Sequence, residues 1–427
     1  MGETDRKPMK VLWVSLVKFP PLCEYLGEPV PAHCGWMYSS AKALLKVMPE
    51  VRLGVMVYSY GRNYERYEID GVAYYLIPTG RIDRTSKKQI EACRQAITDF
   101  APHLIHIHGT EHSLAKAVCM ANVSGVRIIA NIQGLAGPYM RYADGGLSLW
   151  DKWTNITPLD FYRGTFLLNA ERSFKRRAEC ENYVLTHISD IVGRTQWDRA
   201  HVMTINPRLR YHFMNETLRD SFYEKPTWDY SRCKKHTIFV SNSGSALKGA
   251  HQMLKALPII LRQYPDTVVN FCGSSVMSNN LREIIHFQGY HLYLRRLVKR
   301  LHLQEHVRFL GSLSEAQMKQ QFLDANVYVM PSAIENSPNS LCEAQILGIP
   351  SIASYVGGTS EFIEHDKSGF LYRYEEFEML AYSIIQVFET QDLHALSVQE
   401  QSIAMHRHDR GTNVHRLIEI YDEIMLS

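Results

Sequence analysis

Met330–Thr359 reads MPSAIENSPNSLCEAQILGIPSIASYVGGT, directly after the β-prone run Val327-Tyr-Val. The stretch predicts a strand, a loop, a helix and a second strand. Ser337 suits an N-cap and Pro338 the first helical position. Gly348 and Pro350 stop the helix. Ile349 to Tyr355 reads as a buried strand, and Val356 to Thr359 as the turn after it.

Two carboxylates punctuate this unit. Glu335 lies in the loop, and Glu343 follows inside the helix with seven residues between them. At about 100° per residue, Glu343 is flanked by Ile346 and Leu347, while Leu341, Cys342 and Ala344 cover most of the remaining circumference. A helix apolar nearly all round is buried, and a buried carboxylate needs hydroxyl or N–H donors, or a cation. Ribose hydroxyls are such donors. Protein groups bonding a structural glutamate are the alternative.

Alternation of strand-like and helix-like segments extends outward on both sides and implies two Rossmann-like blocks. In the first, Lys10–Leu16 reads as a strand, followed by a Pro-rich loop ending at Cys34-Gly35-Trp36 and a helix from about Met37 to Val47. Gly35 permits close backbone approach to a ligand or is an ordinary turn glycine. Leu104–His108 is a strand within Pro102-His-Leu-Ile-His-Ile-His-Gly-Thr-Glu-His112. Its histidines and Glu111 invite a metal reading, a cleft-lining reading and a packing reading. Gln133 follows the strand Arg127–Asn131; it can hydrogen-bond but cannot titrate. Tyr139 to Leu168 is rich in aromatic residues and precedes Arg172, Lys175, Arg176 and Arg177. That composition suits either an anionic lipid surface or a core helix with a solvated basic end.

The polar stretch Glu216–Lys235, interrupted by Pro226, is the expected boundary. The second block restarts at the strand Thr237–Ser241. The loop Asn242-Ser-Gly-Ser-Ala-Leu-Lys248-Gly249 then feeds a helix, an arrangement suited to a diphosphate, with Lys248 adding a point charge. Val268–Cys272 leads into Gly273-Ser274-Ser275. Tyr290–Leu301 is a basic helix whose arginines and lysine read as a solvated face.

The Glu335/Glu343 spacing in its strand–loop–helix–strand setting, together with Lys248-Gly249, resembles retaining nucleotide-sugar glycosyltransferases of the GT-B fold, glycosyltransferase family 4 (group 1). The resemblance covers nearly the whole chain. It implies two Rossmann-like doubly wound α/β domains facing a cleft: an acceptor-side domain over 1–215 and a donor domain over 216–404, with a C-terminal helix over 405–427 packing back on the first. It implies that Glu335 contacts the transferred sugar and Glu343 the donor ribose. Lys248 and Glu335 carry the catalytic expectation. Asn242, Ser274, Asn339, Ser340, Glu343 and Gly35 are expected at the donor; His108, His112, Gln133 and Arg194 are expected at the acceptor or the sugar. The family's His-x-His-Gly strand end holds no metal, and no Asp-x-Asp motif stands out here, so no cofactor is expected. Three positions depart from the family pattern. Asn242 stands where an arginine is usual, Gln133 where a histidine is common, and Asn336-Ser-Pro-Asn-Ser340 where a Gly-Phe-Gly-type stretch is frequent.

Composition bounds the rest. Of 427 residues, 45% are apolar and 21% charged, typical of a globular chain of two domains. The net charge of +3 gives no argument for nucleic acid. No apolar run approaches the roughly 18 residues of a spanning helix. The polar N-terminus lacks a signal-peptide core. Eight cysteines without a Cys-x-x-Cys pair read as reduced thiols of a cytoplasmic protein, one that also meets the inner face of a membrane if the aromatic segment is a lipid surface. The expected partners are a nucleotide sugar and a glycan or lipid-linked sugar acceptor in polysaccharide or glycoconjugate assembly. A nucleotide-sugar epimerase and a catalytically silent sugar or nucleotide binder are the other readings. The missing Gly-x-Gly-x-x-Gly disfavours a dinucleotide enzyme.

Overall fold

Apolar runs such as Val11-Leu12-Trp13-Val14 and Val327-Tyr-Val-Met330 are buried on both faces, as parallel strands covered by helices must be. The computed structural model describes residues 9–31, 35–123, 125–278, 280, 284–390 and 393–427. These form two compact units. One comprises the residues up to Pro138, Ser173–Arg219 and His408–Ser427; the other comprises Tyr139–Arg172 and Asp220–Arg407.

In the first unit the strands are β1 (Lys10–Ser15), β2 (Arg52–Tyr60), β3 (Glu65–Ile69), β4 (Val72–Thr79), β5 (Leu104–His108), β6 (Arg127–Asn131), β7 (Asp190–Gly193) and β8 (Arg210–Phe213). Their order is β3-β4-β2-β1-β5-β6-β7-β8, parallel except for β3 against β4. Strand order reverses between β1 and β5, so the loops leaving their carboxyl ends diverge there. The terminal helix Arg410–Leu426 belongs to this unit. Its Tyr421 hydroxyl accepts from Trp13 Nε1 at 3.0 Å and lies 2.6 Å from His106 Nδ1, joining helix to sheet through a buried polar contact.

The second unit holds β9 (Thr237–Val240), β10 (Val268–Phe271), β11 (Val307–Phe309), β12 (Val327–Met330), β13 (Ser351–Ser354) and β14 (Phe370–Tyr372), all parallel in the order β11-β10-β9-β12-β13-β14. Here the reversal falls between β9 and β12.

The division differs from the sequence reading in one substantial respect. Tyr139–Arg172, expected in the first domain, belongs to the second unit, and the later break falls at Arg219/Asp220 rather than after residue 215. Nor is the aromatic stretch a core helix. It breaks into Ala136–Met140, Leu149–Thr154, Pro158–Arg163 and a 3₁₀ turn. Ser148 and Thr157 each accept a backbone N–H as N-caps, and Gly164 ends the last helix at φ +64°. Local capping outcompetes one long helix here. Such a segment carries no periodic signature that assigns it to a domain.

Candidate functional site

The site in the second unit grows from the β9/β12 reversal. The loop after β9 ends in the 3₁₀ turn Ala246–Lys248, and the helix Ala250–Leu261 follows, so Lys248 stands one turn ahead of that helix rather than within it. The loop after β12 carries Glu335. Because β9 and β12 are neighbours, these two loops meet. Ala333 N–H donates to the Leu247 carbonyl at 2.8 Å. Gly249, at φ +67°, packs so closely that a Cβ there would lie 1.6 Å from the Pro331 carbonyl oxygen; no other residue fits. Gly358 N–H donates to the Glu335 carbonyl at 3.0 Å and fixes the backbone beneath that side chain.

Lys248 Nζ consequently lies 2.6 Å from Glu335 Oε1. Glu335 is buried and Lys248 half-buried. Beneath the pair, Ser241 Oγ bonds the Tyr328 hydroxyl at 2.8 Å, and Tyr328 donates to Ser340 Oγ at 2.9 Å. Burial pushes the Tyr328 phenol well up, and the charges of Glu335 and Glu343 push it the same way, so it stays a neutral donor. Glu343 sits in the helix Asn339–Leu347, buried from Leu341 onward. Pro338 itself is the N-cap, at φ −78° and ψ 109°, in place of the expected Ser337, and no side chain caps it.

The other expected donor residues have defined settings. Asn242 is exposed, and its Oδ1 accepts Gly244 N–H at 2.9 Å, so it shapes its own loop and brings no charge. Ser274 Oγ lies 2.8 Å from His291 Nε2 in the loop after β10. Asn339 and Ser340 are half-buried at the helix start. Gly35 belongs to the other unit and opens the helix Gly35–Val47; Cys34 lies outside the described residues.

The expected acceptor residues follow the strand ends of the first unit. His108 closes β5, stacked on His106 at 4.1 Å and against Trp13 at 4.6 Å. Neither of its ring nitrogens has a hydrogen-bond partner, and burial holds its pKa well below the usual value. It borders a recess of about 20 Å³ with Trp36, Asn131 and Glu216, a space about the size of one water molecule. His106 is lowered to about 3 and His112 to about 4, both chiefly by burial. His112 Nε2 lies 3.7 Å from Glu111 Oε2, while Glu111 Oε1 takes Arg177 Nη2 at 3.0 Å. Among the described residues, no three His, Cys, Asp or Glu side chains are placed to share an ion.

Arg194 is buried, against the expectation of a side chain reaching a sugar. Its Nη2 donates to Asn131 Oδ1 at 3.0 Å, to the Ile132 carbonyl at 2.8 Å and to Glu216. Gln133 Nε2 also donates to Glu216, at 3.0 Å. Glu216 is thus the hub that sequence reasoning missed. It lay in a stretch read as linker, and no motif marks it.

Two α/β units of this kind are the GT-B fold of glycosyltransferases. Sucrose-phosphate synthase from Thermosynechococcus elongatus superposes with a TM-score of 0.69 at 12% identity, covering 98% of this chain and 99% of that one. HepE from Anabaena, in complex with UDP and glucose, gives 0.67 at 16% identity, with 97% and 99% covered. Residues 231–402 match the family Glycosyl transferases group 1. Spore coat protein SA of Bacillus subtilis is 30% identical over 144 residues, 32% of this chain and 35% of that protein. The D-inositol 3-phosphate glycosyltransferase of Corynebacterium urealyticum is 26% identical over 177 residues, 41% of this chain and 40% of the relative. The chain therefore spans about a third to a half of the length of such curated relatives.

Proposed function

We propose that the chain moves a sugar from a nucleoside-diphosphate sugar to a hydroxyl of a glycan or lipid-linked acceptor, with retention, in polysaccharide or glycoconjugate assembly at the cytoplasmic face of a membrane. The observation that carries this is the Lys248–Glu335 pair at the reversal of the second sheet, one helix entry away from Glu343. The UDP and glucose in the Anabaena structure support the donor class.

In this reading the bond from the anomeric carbon to the diphosphate breaks, and its electrons pass to the departing phosphate oxygen. Lys248 leaves Glu335 for that phosphate and stabilises the charge as it forms. Glu335 then holds the sugar hydroxyls and offsets positive charge on the ring. Glu343 accepts from the two ribose hydroxyls. The acceptor attacks on the face that the diphosphate leaves and gives up its proton to it. Asn242 adds no charge, so Lys248 and backbone N–H groups carry the load, and transfer proceeds without a divalent ion. His108, with both ring nitrogens unbonded, is the first-unit group suited to a sugar hydroxyl; Gln133 and Arg194 act through Glu216.

The test is a screen of nucleotide sugars by thermal shift, then nuclear magnetic resonance of the product's anomeric proton. Retention is expected. An inverted product overturns the assignment, and loss of activity in chelator that magnesium restores overturns the charge role given to Lys248. A product isomerised without any acceptor establishes an epimerase instead.

A further inference from the structure

The segment between Gly145 and Leu167 is built inside out. The helix Leu149–Thr154 buries none of its residues, and Pro158–Arg163 buries only Asp160. Trp150 is 75% exposed, Trp153 64%, Phe161 71% and Tyr162 88%. Water selects the opposite arrangement. Asp160 is consumed internally: its Oδ2 accepts from Thr157 N–H and Oγ1, each at 2.8 Å. Among the other acids, Asp144 pairs with Lys152 at 2.7 Å and Asp151 accepts from Ser148 Oγ at 2.6 Å.

This aromatic face rests on a firm base. The Gly145 carbonyl accepts from His251 Nε2 at 3.0 Å and from the Tyr374 hydroxyl at 2.7 Å. A Cβ on Gly145 would lie 2.3 Å from the Ala246 carbonyl oxygen, two residues from Lys248. Arg296, on the helix Gly289–Arg300, donates to the Thr154 carbonyl and to Asn155 Oδ1, the latter at 3.0 Å. That helix contains no acidic residue and ends in Lys299 and Arg300, both exposed. Among the described residues, Arg296, Lys299 and Arg300 form no ion pair, and Arg296 bonds only neutral oxygens. Arg163, also exposed, closes the second short helix.

We infer that Trp150, Trp153, Phe161 and Tyr162, flanked by Arg163, Arg296, Lys299 and Arg300, form a docking surface for an anionic lipid bilayer. Tryptophan and tyrosine rings sit at the headgroup level, where an apolar body and a polar tip are both satisfied. The flanking cations match anionic headgroups. A second copy fits less well, because it brings a like-charged rim to the same interface. The sequence offered Arg172, Lys175, Arg176 and Arg177 as the basic flank of this aromatic segment; of these, Arg176 pairs with Asp83 and Arg177 with Glu111 within the first unit. The surface deepens the membrane-peripheral part of the proposed function and is independent of the transfer chemistry. Its anchor beside the Lys248 turn puts a lipid-linked acceptor and the donor loop on one unit.

Flotation of the full chain with vesicles tests it, with no nucleotide sugar present. Vesicles of equal phosphatidylglycerol and phosphatidylcholine should carry the protein at low salt and release it at high salt, with a blue shift of tryptophan emission. Phosphatidylcholine alone should bind far less. Trp150→Ser with Trp153→Ser should lower partitioning about tenfold or more, and Lys299→Glu with Arg300→Glu by on the order of tenfold to a hundredfold. These side chains are exposed, and unchanged melting temperatures confirm folding. Wild type that ignores anionic vesicles at low salt overturns the surface, as do variants that bind like wild type. Self-association abolished by the tryptophan variants, or a soluble glycan bound at these rings, with no vesicle binding in either case, overturns it in favour of that occupant. Wild type that transfers sugar but does not float with anionic vesicles removes the surface and leaves the transferase reading standing.

Discussion

Lys248 Nζ and Glu335 Oε1 are 2.6 Å apart although they stand 87 positions apart in the chain. Neighbouring parallel strands bring their loops together, and Ala333 N–H to the Leu247 carbonyl holds those loops in register. Without donor, each side chain satisfies the other's charge. In the proposed reaction the donor phosphate claims the lysine and the sugar claims the glutamate.

Lys248→Ala is therefore expected to lower turnover by about 10²–10³-fold, with a smaller effect on donor affinity. The variant leaves Glu335 buried beside no cation, so its melting temperature must be read alongside its rate. Steady-state kinetics at saturating donor separates the two effects. A rate unchanged in a folded variant removes Lys248 from the chemistry.

Glu343→Gln keeps the size of the side chain and removes its charge inside a buried helix. Affinity for the nucleoside diphosphate should fall by roughly 1–3 kcal/mol. Calorimetric titration measures this directly. Equal affinity in wild type and variant assigns Glu343 to the protein interior alone.

Tyr421→Phe tests the join between the terminal helix and the first sheet. It removes the acceptor of Trp13 Nε1 and the partner of His106 Nδ1, both buried. A loss of about 1–3 kcal/mol is expected from unsatisfied groups at a dry site. Denaturant unfolding of the variant supplies the number; a loss under half a kilocalorie shows that the hydroxyl is dispensable.

Acid should weaken the first unit on balance, because its buried histidines outnumber Glu181, whose carboxyl burial pushes up to about 8 and which works in the opposite sense. His106 is lowered to about 3 and His112 to about 4, so both stay neutral when folded but take up a proton when unfolded below about 6.5. Their contribution is fully present above pH 6.5 and is lost as pH falls toward 4. Each buried histidine adds up to ~1.4 kcal/mol per pH unit to the slope. Melting temperatures between pH 7 and pH 4.5 should fall, and His112→Asn should flatten the curve. A flat wild-type profile rules out this origin.

The alternation of elements and the candidates for chemistry are legible in the amino-acid order alone. Glu343 on a helix apolar nearly all round and Lys248 in a small-residue loop stand out because burial and charge conflict locally, where a periodic pattern can register the conflict. Which side chains meet is set by the folded chain. Strand order, not spacing, placed Lys248 on Glu335. A long-range contact placed Arg194 on Glu216, a residue that looked like linker. The same limit moved Tyr139–Arg172 into the second unit and turned its aromatic side chains outward. Composition records that a side chain is apolar; whether it faces a core or solvent depends on partners distant in sequence, which no local pattern carries.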